Sequence, residues 1–201
     1  MILPPSFYTR ADVVKIAKEL LGKVIVTNIG GIVTSGMIVE TEAYAGVHDK
    51  ASHSYGGRNT ERTKVMFMNG GVAYVYLCYG IHHLFNVITN VEGTPSGVLI
   101  RGVEPLDGVE YMLVRRKKEK LTPALTAGPG ALSAALGINT ALTGTSLSGT
   151  DIFIEDRGII VTKSEIVVGT RVGVAYAAED AMLPYRFSIK GNKYVSKGKG
   201  L

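Results

Sequence analysis

The run from Ile32 to Tyr44 does more than any other stretch to limit what this chain can become, because it reads as one long strand. In its second half, Met-Ile-Val-Glu-Thr-Glu-Ala-Tyr at 37 to 44, a period of two places Val39, Thr41 and Ala43 on one face. Ile38, Glu40, Glu42 and Tyr44 fall on the other. One face therefore carries two carboxylates and a phenol. Gly36 is the position expected to bulge, and the two glutamates share a face only if the register stays regular there. Taken alone, alternating glutamates are the ordinary mark of a solvated strand face.

Around this run the chain alternates short strand patterns with turn residues. Lys23 to Thr27 is β-branched, and Asn28-Ile29-Gly30-Gly31 predicts a hairpin into the long strand. Further strands are predicted over Val72 to Cys78, His82 to Asn90, Gly97 to Glu104, Asp151 to Glu155, Gly158 to Val161, Arg171 to Ala175 and Arg186 to Ile189. Helices are predicted over Tyr8 to Leu21, with Thr9 as cap, over Asp107 to Lys118, and after Gly128-Pro129-Gly130, where proline suits a first turn. Strands without regular intervening helices argue against a doubly wound parallel sheet. The expected fold is a single α+β domain over residues 1–201, a mainly antiparallel curved sheet flanked by a few helices. Val195 to Leu201, with Lys197 and Lys199, is expected to be a flexible basic tail.

At 201 residues the chain can bury a full core, and 46% hydrophobic with 19% charged residues is a globular balance. No apolar run is long enough for a membrane span. The opening Met1-Ile-Leu-Pro-Pro lacks the charged start and apolar core of a signal peptide, so a cytoplasmic protein is expected, nucleoid-associated if bacterial. The single cysteine, Cys78, leaves no internal disulfide and no cysteine-based zinc cluster. A net charge of +5 favours a polyanionic partner.

Residues able to stack, donate and titrate are concentrated in one stretch: all four histidines (His48, His53, His82, His83) and Tyr44, Tyr55, Tyr74, Tyr76 and Tyr79 lie between 44 and 83. Periodicity fails from Ala45 to Met68, and loops this long in compact domains are usually functional. Within it, Arg58, Thr60, Arg62 and Lys64 offer the cations and hydroxyl groups that contact a nucleic-acid backbone. A metal-dependent hydrolase is the rival enzyme class, since Glu42, His48, Asp49, His53, His82 and His83 could supply metal ligands, but their spacing matches no metal motif. A noncatalytic nucleic-acid-binding module is a further reading, since basic charge and aromatic rings also build stacking platforms.

An ordered series of motifs narrows these readings. Val-Glu-Thr-Glu-Ala-Tyr (39 to 44), Ala-Ser-His-Ser-Tyr-Gly-Gly-Arg-Asn-Thr (51 to 60), Met-Phe-Met (66 to 68), Val-Tyr-Leu-Cys-Tyr-Gly (75 to 80), Asn86, Leu-Ile-Arg (99 to 101), Glu-Pro-Leu (104 to 106), Gly-Pro-Gly (128 to 130) and Arg-Val-Gly-Val (171 to 174) together resemble the alkyladenine (3-methyladenine) DNA glycosylases. The resemblance implies a base-excision repair enzyme that flips an alkylated or deaminated purine (3-methyladenine, 7-methylguanine, hypoxanthine or ethenoadenine) from double-stranded DNA and hydrolyses its N-glycosidic bond. It implies Glu42 as general base, with Arg101 near the flipped nucleotide and the catalytic water. Tyr44, His53 and Tyr76 become the walls of the base pocket, Asn86 the residue that crowds a guanine 2-amino group, and Tyr79 the side chain inserted into the duplex.

The chemistry of these residue types agrees. Hydrolysis at C1′ of a deoxyribose develops oxocarbenium character, which a carboxylate can stabilise while activating water. A flipped, electron-poor purine stacks well between tyrosine and histidine rings. Glu40 is expected to be structural support. No cofactor or metal is called for, no lysine matches a catalytic position, and a monomer acting on damaged duplex DNA by hydrolysis alone is expected.

Overall fold

The computed structural model describes residues 1–198 and 200. Two short helices, α1 (Pro5–Tyr8) and α2 (Val13–Glu19), precede the hairpin β1 (Val24–Ile29) and β2 (Ile32–Tyr44). A long loop with three 3₁₀ turns leads to β3 (Ala73–Cys78), β4 (His82–Thr89) and β5 (Ser96–Pro105). Helices α3 (Val109–Arg116) and α4 (Pro129–Leu136) follow, then β6 (Ile152–Glu155), β7 (Ile166–Gly169) and β8 (Arg186–Ile189). Among the described residues these eight strands form one curled antiparallel sheet in the order β3-β4-β5-β2-β1-β6, with β8 pairing both β2 and β7. This is the predicted α+β class. No helix among the described residues is long and apolar enough to cross a membrane.

β2 is the trunk of the sheet. Along one edge it pairs with β5 from Gly36 to Tyr44; along the other it pairs with β1 over Ile32 to Met37 and then with β8 over Glu40 to Glu42. The fork falls where the β2–β5 register is broken. Val39 and Arg101 are both left out of the pairing, between Ile38↔Val103 and Thr41↔Ile100. An extra residue reverses which way the next side chains point. Ile38 therefore enters the core with Ala43, Val98, Ile100 and Val103, beneath α2 and α4, while Glu40, Glu42 and Arg101 emerge on the opposite face.

Two expectations are corrected here. The bulge lies at Val39 and not at Gly36, which pairs regularly and is glycine because a Cβ there would come within 2.8 Å of Val103 Cγ2. Ile38 also does not share a face with the glutamates.

The single helix predicted over Tyr8 to Leu21 is two helices. Tyr8 spends its carbonyl on the Asn90 N–H (2.8 Å), at the end of β4, so the first helix stops there. Asp12, not Thr9, caps the second by accepting from the Lys15 N–H at 2.9 Å. Neither Gly158 to Val161 nor Arg171 to Ala175 is a strand; the first finds no ladder partner among the described residues, and Val172 spends its N–H on a side chain. β7 was not foreseen. The predicted tail is packed as far as Ser196, whose N–H donates to Glu40 at 2.7 Å, and Lys199 and Leu201 lie outside the described residues.

Candidate active site

On the sheet face away from the helices, two buried glutamates flank a buried arginine. Arg101 places Nε 3.1 Å from Glu40 Oε1 and Nη1 3.3 Å from Glu42 Oε1. Glu40 also accepts from Arg186 Nε (2.8 Å), the Ser196 N–H (2.7 Å) and Ser196 Oγ (3.0 Å), so its lone pairs are taken up by structure. Glu42 is held differently: Oε1 accepts the Val172 N–H at 2.7 Å and Oε2 the Tyr44 hydroxyl at 2.9 Å. Burial raises the Glu42 pKa, against the pull of Arg101, the Val172 N–H and the Tyr44 hydroxyl. A carboxylate that is poorly solvated and only partly compensated is a stronger base than one in water.

Tyr74 and Tyr76 project from the same face of β3, and His53 reaches them from the long loop. His53 Nδ1 lies 2.9 Å from the Tyr74 hydroxyl, and its ring meets Tyr76 edge-on at 4.7 Å. Burial, reinforced by Arg62 and Arg58, lowers the His53 pKa to about 4, so the imidazole is neutral at pH 7. Asn86, on β4, donates through Nδ2 to the carbonyls of Tyr74 (3.2 Å) and Leu84 (3.3 Å). Tyr44, His53, Tyr76, Asn86 and Tyr176 line an inner pocket of about 40 Å³.

Outside this pocket lies a cleft of about 460 Å³ whose walls include Lys50, Tyr55, Arg58, Thr60, Arg62 and Tyr176. The Arg62 guanidinium sits 5.3 Å from the Tyr76 ring centre. Lys64 is not in the wall; it pairs with Glu61 at 2.7 Å. Thr60 organises its loop, its N–H donating to Thr63 Oγ1 at 2.8 Å.

Tyr79 occupies the tip of the β3–β4 hairpin. Its φ of 51° and the 72° of Gly80 make a left-handed turn, closed by the Ile81 N–H on the Cys78 carbonyl at 3.2 Å. The Tyr79 side chain is 90% exposed, between exposed Leu77 and Ile81. A strained, solvent-facing aromatic on an apolar tip is costly to keep unless something covers it.

Residues 6–193 match the model of the methylpurine-DNA glycosylase family. The chain belongs to that family. Relatives from Bacillus thuringiensis (strain Al Hakam), Bacillus cereus (strain G9842) and Bacillus anthracis (strain CDC 684 / NRRL 3495), each provisionally named a 3-methyladenine DNA glycosylase, are 49% identical to it, covering 98% of this chain and 100% of their own length. This methylpurine-DNA glycosylase is accordingly a hydrolase of N-glycosyl bonds that binds DNA.

The glycosylase fold brings Glu42, Tyr44 and Arg101 into one network and His53, Tyr76 and Asn86 around one pocket, with Tyr79 apart on its hairpin. Among the described residues no three of the His, Cys, Asp and Glu side chains gather as a metal site. The sequence assigned no place here to Tyr176 or the Val172 N–H, named Tyr74 only among the clustered rings, and offered Asp49 only as a possible metal ligand where it in fact pairs with buried Arg171. Arg171 forks onto Asp49, Nη1 to Oδ2 at 2.5 Å and Nη2 to Oδ1 at 2.9 Å, with its guanidinium 4.9 Å from the Tyr44 ring centre. The Arg-Val-Gly-Val motif was the available signal, but nothing in its spacing says that the arginine is buried.

Proposed function

We propose that this glycosylase excises alkylated and deaminated purines from duplex DNA by flipping the base into the aromatic pocket and hydrolysing its N-glycosidic bond, acting as a monomer and without a lyase step. The observation that carries this reading is the pairing of an aromatic-walled pocket with a buried carboxylate, joined by Tyr44, which lines the pocket and whose hydroxyl donates to Glu42.

In this reading Glu42, ionised, accepts a proton from water as the water oxygen bonds to C1′. The C1′–N bond breaks with its electron pair leaving on the base, and the same carboxylate offsets the positive charge gathering on the sugar. The Val172 N–H and Tyr44 hydroxyl fix the carboxylate's orientation, and Arg101 stands beside the flipped nucleotide. Tyr44, His53 and Tyr76 sandwich the base, Asn86 limits its minor-groove edge, and Tyr79 fills the vacated gap in the duplex. Arg58, Thr60, Arg62 and Lys64 serve the phosphate backbone. Lys50, the cleft-wall lysine, is paired with Glu179 at 2.5 Å, which suits hydrolysis over Schiff-base chemistry.

The test is a panel of duplexes each holding one 3-methyladenine, 7-methylguanine, hypoxanthine or ethenoadenine, assayed for free base and for alkali-labile sites. Free base and abasic sites without strand cleavage are expected. Release of no base from any of the four would overturn the reading, and a borohydride-trapped enzyme–DNA adduct would overturn the hydrolysis-only step.

A further inference from the structure

The inner pocket and the outer cleft differ greatly in size. The pocket's 40 Å³ holds a few waters at roughly 10–15 Å³ each and no purine. The cleft's 460 Å³ falls inside the ~300–1,000 Å³ range of small-molecule sites. The two cavities share three wall residues, Ser52, His53 and Tyr176. Ser52 is buried, and His53 is tied to Tyr74, so neither is free to move without breaking the aromatic wall. Tyr176 is 68% exposed, and its hydroxyl donates to the Ala51 carbonyl at 3.1 Å. It sits on the Ala175–Met182 segment, which is broken two residues later at Ala178, where φ is 50° and ψ is −125°.

The cleft also has the chemistry of a nucleotide site. Tyr55, 46% exposed, and Tyr176 present rings, while Arg58 and Arg62 present cations. Rings of this kind stack any base, because every base has a π face, and guanidinium groups pair with phosphate.

We propose that the outer cleft is a holding site for the extrahelical purine before insertion, and that Tyr176 is the gate between it and the inner pocket. A base leaving the stack rests first against Tyr55 and Tyr176, with its flanking phosphates near Arg58 and Arg62. Breaking the Tyr176–Ala51 hydrogen bond lets the ring swing aside, and the inner pocket expands as the base enters. Selection is then made twice: any purine that unstacks can reach the cleft, and only one that stacks strongly enough to displace the gate reaches Glu42. This depends on the base-flipping reading above.

The two steps separate in stopped-flow fluorescence with a duplex carrying a single ethenoadenine, whose emission reports stacking. The wild-type chain should give a fast phase, for arrival in the cleft, and a slower one, for insertion. Tyr176→Phe keeps the ring and removes the anchor, so the slow phase should accelerate by roughly 2- to 10-fold, the span a neutral hydrogen bond commands, with the fast amplitude unchanged. Tyr55→Ala should reduce the fast amplitude while leaving the slow rate constant within about twofold, since it removes a stacking surface and not the gate. Tyr176→Ala should remove both and narrow the excision ratio between ethenoadenine and mispaired undamaged adenine. A single phase in the wild type, or two phases that none of these variants alters, would overturn the holding site. Tyr176→Phe retains the ring, so misfolding cannot imitate an accelerated slow phase. If the wild type releases no base from any lesion duplex, the glycosylase reading itself has failed; if it excises normally and the phases do not respond, only the holding site has.

Discussion

Arg171 closes on Asp49 with two parallel hydrogen bonds, deep under the loop that carries His53, and both side chains are excluded from water. The same guanidinium donates to the carbonyls of Ala43 and Asp180, each at 3.0 Å, so it joins β2, the long loop and the Ala175–Met182 segment. Its neighbour Val172 supplies the N–H that orients Glu42. Asp49→Ala leaves the guanidinium buried and unpaired, and should cost about 3–5 kcal/mol in denaturant unfolding. Single-turnover excision should fall with it, because Val172 is displaced. The double variant Asp49→Ala with Arg171→Met should recover most of the stability, since no buried charge remains. Additive losses in the double variant would count against this account.

Glu42→Gln keeps the side chain's shape and removes the carboxylate proposed as general base. Excision should fall by roughly 10²- to 10⁴-fold, with lesion binding retained. A residual rate within a few-fold of wild type would move the role elsewhere, with Glu40 the first suspect.

The raised Glu42 pKa fixes two signs. Excision should decline as pH falls through it, an acid limb lying above the ordinary glutamate range near 4.3. For folding, a carboxyl whose pKa is higher folded than unfolded stabilises the fold below its unfolded value, and that stability is lost as pH rises through the folded value. The Gln variant should therefore melt at or above the wild type at neutral pH, and the gap should close on acidification. A gap that widens toward pH 4.5 would contradict the sign.

Asn86→Ser should raise excision of guanine-derived bases relative to hypoxanthine, because discrimination here would rest on a clash and not on attraction. Asn86 is buried at the pocket wall and held by two carbonyls, so it has little freedom to withdraw. An unchanged ratio of the two rates would remove the assignment.

Tyr79→Ser should leave the melting temperature nearly unchanged, since the ring is 90% exposed and creates no cavity when lost. A well-paired hypoxanthine should lose up to ~10²-fold in its extrahelical population, for a stacking loss of roughly 1–3 kcal/mol, and a bulged one less. Equal losses on both duplexes would sink the wedge assignment.

Much of the fold was legible because period-two runs bounded by turn glycines leave little choice but an antiparallel sheet: β1 to β6 and β8 stand close to where their sequences place them. The motifs named Glu42, Tyr44 and Arg101 as candidates, and folding brings these three side chains into contact. Alternation alone had the right pair on the wrong terms. Glu40 and Glu42 share a face, but Ile38 does not, because register breaks belong to two strands at once and neither sequence shows them alone.

What only the tertiary structure decided is the division of labour among charges. Glu40 and Glu42 are identical in type and two residues apart, yet Arg186 and Ser196, well over a hundred residues downstream, claim one, while Val172 and Tyr44 orient the other. Arg171, with the same side chain as the exposed arginines of the loop, is buried because Asp49 meets it there. A side chain's pKa and role follow from its solvation and its partners, and those are set by distant segments of chain brought together on folding. Local pattern fixes which residues are available; only packing determines which of them water can reach.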